Sequence, residues 1–258
     1  MDVIEAIARG AAEYPDKIAH VSDDRSLTYK ELATKSDALA AHLVQRYPGD
    51  ESPVAIIGHK EPEMLIGFLG AVKSGHPYVP IDSSVPVHRA NRIIESSGAI
   101  AALTPDRIAE ISNGVSPSAR VLLDQDGPFY IIYISGSTGD PKGVIITLRC
   151  LAAFLDWMLE EQGLDQAREV FLNQAPFSFD LLSQPLRLDR LVIYGPGDDE
   201  ASSSENRINS TPSATCSPTV NSTSSMMPSA GAWMVYSTFI ASIAISGAPF
   251  LTLSPEAT

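Results

Sequence analysis

The stretch from 54 to 81 constrains the fold more than any other. Val54, Ala55, Ile56 and Ile57 form a continuous apolar run closed by Gly58, the pattern of a strand covered on both faces. Met64, Leu65, Phe68, Leu69 and Val72 then recur at helical spacing, and 78–81 reads as a second strand. The strand signal repeats at 99–103 and 121–123, separated by helical stretches at 87–95 and 105–111. Upstream, Asp2 is a candidate N-cap with Glu5 three positions on, and Ile4, Ile7 and Ala11 share one face of a helix that Pro15 closes. A hairpin is expected with strands at 18–21 and 27–29 and a turn of Asp23, Asp24 and Arg25. The helix after it carries Leu32, Leu39 and Leu43 inward. Alternation of this kind predicts an α/β fold with a largely parallel sheet.

That pattern stops near 182. Residues 201–229 are dense in Ser, Thr, Asn and Pro, and no lysine follows Lys142. Such a segment has too little apolar area to offset an ordering cost of roughly 1–2 kcal/mol per residue, so it is expected to be disordered. Residues 230–253 carry no charge and reach the length of a bilayer span, but their Ser, Thr, Gly and Pro content argues against a membrane helix. The domain reading is therefore 1–182 for the α/β region and 183–258 for a low-complexity tail.

With 31 acidic against 18 basic residues, the net charge is −13. Nucleic acid is an unsuitable partner for such a chain, because phosphate neutralisation needs clustered Lys and Arg. Cys150 and Cys216 lack CxxC spacing, and reduced thiols in a cytoplasmic protein are expected. The first residues lack the basic and apolar regions of a secretory signal.

Chemistry concentrates between 130 and 146. Gly136, Gly139 and Gly143, the hydroxyls of Ser135, Ser137 and Thr138, and Lys142 fall within nine residues. Glycines let several backbone N–H groups converge on an anion, hydroxyls donate further hydrogen bonds, and a lysine supplies a point charge. A triphosphate is the natural guest. The Walker A spacing is absent, since it would need Gly at 141 and a hydroxyl at 143, where the chain has Pro141 and Gly143. Pro141 and the following Val144, Ile145 and Ile146 favour an extended exit, so the loop is expected to join strand to strand.

Residues 133–144 resemble the signature loop of the AMP-forming adenylate-forming superfamily, Tyr-Thr-Ser-Gly-Ser/Thr-Thr-Gly-x-Pro-Lys-Gly-Val. Leu27, Thr28, Tyr29, Lys30, Glu31 and Leu32 look like the family's early Leu-Thr-Tyr-x-Glu-Leu element, and residues 70–82 look like its second core motif. Residues 171–181 are similar to a segment of D-alanine–D-alanyl carrier protein ligases. The resemblance implies the N-terminal part of the adenylate-forming fold. It implies that Ser135, Gly136, Ser137, Thr138, Gly139 and Lys142 hold the β- and γ-phosphates of ATP with Mg²⁺ sharing the charge. It further implies that Asp180 faces a substrate ammonium. The activity implied is activation of D-alanine, or another small amino acid, to an aminoacyl-adenylate. Transfer to the phosphopantetheine thiol of an acyl carrier protein would follow, feeding teichoic acid D-alanylation.

Two departures stand out. Ile134 occupies the position of the family's Thr, removing a hydroxyl that is worth roughly 1.5–3 kcal/mol when it bonds a charged group. After Leu181 the similarity ends, without the Tyr-Gly-Pro-Thr-Glu and Thr-Gly-Asp elements, and a change of reading frame near Leu182 would account for the break. Activity is accordingly expected to be impaired. Two other readings stay open: the start of a peptide-synthetase adenylation domain or acyl-CoA ligase, and a non-catalytic truncated product.

Overall fold

The computed structural model of the chain describes residues 3–22, 25–113, 124–135, 140–162, 171–173, 176–178, 219–220 and 250–252. In chain order the elements are α1 Val3–Glu13, β1 Ile18–Ser22, β2 Arg25–Thr28, α2 Tyr29–Arg46, β3 Val54–Gly58, α3 Pro62–Lys73, β4 Tyr78–Asp82, α4 Val87–Ser97 and β5 Ala101–Leu103. They continue with α5 Pro105–Ser112, β6 Pro128–Ser135, β7 Pro141–Thr147, α6 Leu148–Gln162, β8 Phe171–Asn173, β9 Thr219–Val220 and β10 Phe250–Thr252.

The central sheet has the order β5-β3-β4-β6-β7-β9. Strands β5, β3, β4 and β6 are parallel, and β6 and β7 form an antiparallel hairpin. Side chains alternate across this sheet. Val54, Ile56, Tyr78, Tyr130, Ile132, Val144 and Ile146 face a large core shared with α2, α3 and α5. Ala55, Val79, Ile81 and Ile131 face a smaller one with Ile93 of α4. The chain therefore leaves β3 towards one face and β4 towards the other, and the two exits diverge at the carboxyl ends of adjacent parallel strands. In open α/β sheets such switch points are where ligands are bound.

On the larger face α2 and α3 pack closely because of Gly70. A Cβ at that position would lie 2.6 Å from Leu39 Cδ2. Lys73, buried on α3, reaches back to α2, where its Nζ donates to Asp37 Oδ1 at 2.8 Å and Ser36 Oγ at 2.7 Å. Phe68 stacks on Tyr78 and Tyr78 on Tyr130, linking helix to sheet.

Several expectations shift. Tyr29 opens α2 instead of ending a strand, because Thr28 and Glu31 form a reciprocal capping box. Arg25 belongs to β2, paired with Ser22, and its guanidinium bonds Glu63 of α3. The expected strand at 121–123 lies outside the described residues. Within 183–258, Thr219–Val220 pairs with β7, so two residues of the segment expected to be disordered are strand, and Phe250–Thr252 of the apolar segment pairs in parallel with both β1 and β8. Cys150 is disulfide-bonded, against the expectation of a reduced thiol there, and Cys216 lies outside the described residues. Among the described residues no helix is long and apolar enough to cross a membrane.

Candidate functional site

The glycine-rich loop is the connection of the β6–β7 hairpin. In its register Tyr133 faces Gly143, Ile134 faces Lys142 and Ser135 faces Pro141. The strand-to-strand expectation is met, and its cause is legible locally. Three β-favouring residues on each side, Ile132, Ile131 and Tyr130 against Val144, Ile145 and Ile146, fix the pairing below the loop. Gly143 suits its tight surroundings: a Cβ there would sit 3.1 Å from Tyr133 Cζ and 3.1 Å from Ile131 Cγ2, so these side chains would have to give. The Tyr133 ring thus lies over the Gly143 backbone, and its hydroxyl shares a hydrogen bond with the Ser96 side chain of α4 while burial raises its pKa. A second tie from α4 reaches the loop's exit, where Arg92 pairs with Asp140.

Ile134 packs against the larger core. The position that resembles a family threonine is therefore used here for apolar packing at the root of the loop. Lys142 lies in β7 directly across from it. The backbone of Ser135 is the last residue of β6. Gly136, Ser137, Thr138, Gly139 and Asp180 lie outside the described residues.

Because β4 and β6 are parallel neighbours, the loop emerges from the same sheet edge as the carboxyl ends of β3 and β4. A polar cluster that sequence reasoning missed sits at that edge. Asp82, buried at the end of β4, accepts from His59 Nδ1 at 2.6 Å, from the Ser84 N–H at 2.9 Å and from Ser84 Oγ at 2.5 Å. Burial works against its charge, yet the hydrogen bonds from Ser84 and His59 prevail and hold the carboxyl below its ordinary pKa. The Asp82 N–H in turn donates to Ser178 Oγ at 3.1 Å. That contact anchors the 176–178 segment, two residues short of Asp180, to the sheet edge from which the loop emerges. Phe177 assists from the core side, edge-on to Phe68. His59 and Asp82 are 23 residues apart, so only their positions at the ends of adjacent strands could have signalled the pairing.

Among the described residues no group of three or more His, Cys, Asp or Glu could hold a metal ion.

Comparison with known proteins bears on the whole arrangement. The family model described as AMP-binding enzyme matches residues 7–183. The D-alanine--D-alanyl carrier protein ligase of Bacillus cereus (strain B4264) is 47% identical over 199 residues, covering 70% of this chain and 39% of that protein. Its counterpart from Bacillus anthracis is 48% identical over 198 residues with the same coverages of 70% and 39%. The chain thus spans about 39% of the length of these relatives. Among solved structures, the Klebsiella oxytoca NpsA N-terminal subdomain in complex with 3-hydroxyanthranilyl-AMSN superposes with a TM-score of 0.65 at 22% identity, covering 100% of this chain and 54% of that one. The nonribosomal peptide synthetase FmoA3 in its AMPPNP-bound form gives a TM-score of 0.68 at 20% identity, covering 99% and 23%. At such identities these two establish the fold alone, the mixed α/β architecture of the N-terminal part of adenylate-forming enzymes. With the family model covering most of its length, the chain belongs to the AMP-binding enzyme family.

Proposed function

We propose that this chain supplies the triphosphate-holding part of an ATP-dependent, AMP-forming activation of D-alanine. In the reaction the carboxylate of the amino acid attacks the α-phosphorus of ATP, an aminoacyl-adenylate forms and pyrophosphate leaves. A carrier-protein phosphopantetheine thiol then displaces AMP to give a thioester, the form that teichoic acid D-alanylation consumes. The observation that carries this reading is the β6–β7 hairpin, which fixes the loop's two ends and seats Lys142 beside it at the carboxyl edge of a parallel sheet.

In this reading Ser135, Gly136, Ser137, Thr138 and Gly139 present N–H and hydroxyl donors to the β- and γ-phosphates, and Lys142 adds a fixed positive charge. Their contribution is electrostatic: they stabilise charge that accumulates on the departing pyrophosphate. Mg²⁺ would neutralise phosphate charge when bound with the nucleotide. Asp180 is the proposed partner of the substrate ammonium, and the Ser178–Asp82 hydrogen bond supports it by anchoring the neighbouring residues. The preference for D-alanine rests on the relatives' printed names and on residues 171–181. The cytoplasm, where ATP and carrier proteins meet, is the proposed location.

The test is exchange of labelled pyrophosphate into ATP with D-alanine, L-alanine or no amino acid. Exchange that needs D-alanine is the expected mark of the activity. Equal exchange with both alanines overturns the substrate assignment. A folded chain that neither exchanges nor binds MgATP overturns the reading as a whole.

A further inference from the structure

A cavity of about 260 Å³ opens far from the loop hairpin, lined by the end of α2, by α5 and by strand β5. In the described sheet β5 is the outermost strand, and β3 and β4 separate it from β6 and β7. The floor is apolar, made by the buried Leu43, Leu103 and Ile111. The rim is basic. His42 and Arg46 are one turn apart on α2, and Arg107 comes from the first turn of α5.

Three basic groups around one small cavity run against the character of a chain whose net charge is −13. Their mutual repulsion is felt: burial, then the charges of Arg107 and Arg46, hold the His42 imidazole below its ordinary pKa. Glu110 pairs with Arg107 at 2.5 Å, but that pair is 47% and 69% exposed, and exposed pairs give way readily to other anions. Arg46 lies over the Tyr47 ring at 5.3 Å, and both residues line the cavity.

We infer that this cavity binds a small organic anion, a carboxylate or phosphate carried on a short apolar body. The head group meets Arg46 and Arg107, and the body rests on Leu43, Leu103 and Ile111. Guanidinium forks suit both head groups, because each presents paired oxygens to paired N–H donors. The volume lies below the usual range for drug-sized ligands, roughly 300–1,000 Å³, which limits the body to about one ring. This site is independent of the proposed adenylation chemistry.

The experiment is an NMR titration of the isotope-labelled 258-residue chain with phenyl phosphate, benzoate, inorganic phosphate and phenol. Saturable shifts at residues 42–47 and 101–111 are expected with phenyl phosphate and benzoate, and much weaker ones with inorganic phosphate or phenol. The ratio of the first two affinities tells which head group the site prefers. Bound anion should move the His42 titration midpoint upward. Arg46→Gln and Arg107→Gln should each weaken binding about tenfold, whereas Lys142→Ala should leave it unchanged. Absence of saturable shifts, or unchanged affinity in an Arg46→Gln/Arg107→Gln chain that melts like the wild type, overturns the site. If the double variant does not fold, Arg107→Gln alone gives the same decision. Inorganic phosphate binding as tightly as phenyl phosphate overturns the role of the apolar floor.

Discussion

Helices α3 and α4 flank the same sheet and are nearly equal in length, yet they are built for different work. Every residue of α3 from Pro62 to Lys73 is buried, and the helix is clamped by α2, α5 and the sheet. Helix α4 buries only Ile93 and spends its polar side chains on the loop hairpin, through Arg92 to Asp140 and Ser96 to Tyr133. The difference separates two jobs within one domain. The α3 face supplies most of the apolar burial that opposes chain entropy. The α4 face is lightly packed and meets the two ends of the loop hairpin through polar side chains.

Substitutions on α3's face should therefore be the most costly. Phe68→Ala removes a ring stacked on Tyr78 and edge-on to Phe177, and about 3–5 kcal/mol of stability should be lost in urea denaturation. Asp37→Ala leaves the Lys73 ammonium buried without its carboxylate, with an expected cost of about 3–5 kcal/mol. A loss below about 1 kcal/mol at either position would break the contrast between the faces. On the opposite face Ile93→Ala should cost about 2 kcal/mol, the low end for a buried aliphatic, because the small core around it can relax.

Asp82 makes a pH prediction. Its carboxyl is held below its ordinary value, so it favours the folded state above the unfolded pKa of about 3.9, and that contribution fades as pH falls through the lower folded value. Asp82→Asn should destabilise at pH 6 by about 1–3 kcal/mol, with the gap to wild type narrowing between pH 4 and 2. A gap that stays constant with pH would contradict the charged hydrogen-bond cluster. Smallest of all, Arg92→Ala should change stability by about 0–1 kcal/mol, since the ion pair is exposed. It should nevertheless raise local hydrogen exchange at 140–143 if that pair steadies the loop's exit.

Much of this was legible in the sequence, and the reasons are local. The apolar run at 54–57, the helical spacing of Met64 to Val72 and the extended exit after Pro141 each act over a few residues, so period and turn chemistry suffice. The capping box was equally readable in Thr28 and Glu31, but the β-favouring run ahead of Tyr29 masked it. The pairs that shape the site and the core were not legible. His59–Asp82 and Asp37–Lys73 join residues 23 and 36 apart, and only the sheet order and the α2–α3 approach bring them together. The strands at 219–220 and 250–252 contain the β-favouring Thr219, Val220, Phe250 and Thr252, but they are too short to show a period, and their partners β7, β1 and β8 lie far away in sequence.

The most direct measurement is calorimetric titration of MgATP into the wild-type and Lys142→Ala chains, with thermal melts of both. If the hairpin is a triphosphate cradle on the lightly packed face, the wild type binds and the variant loses about tenfold or more in affinity, with its melting temperature essentially unmoved. Identical isotherms for two equally stable chains would contradict it.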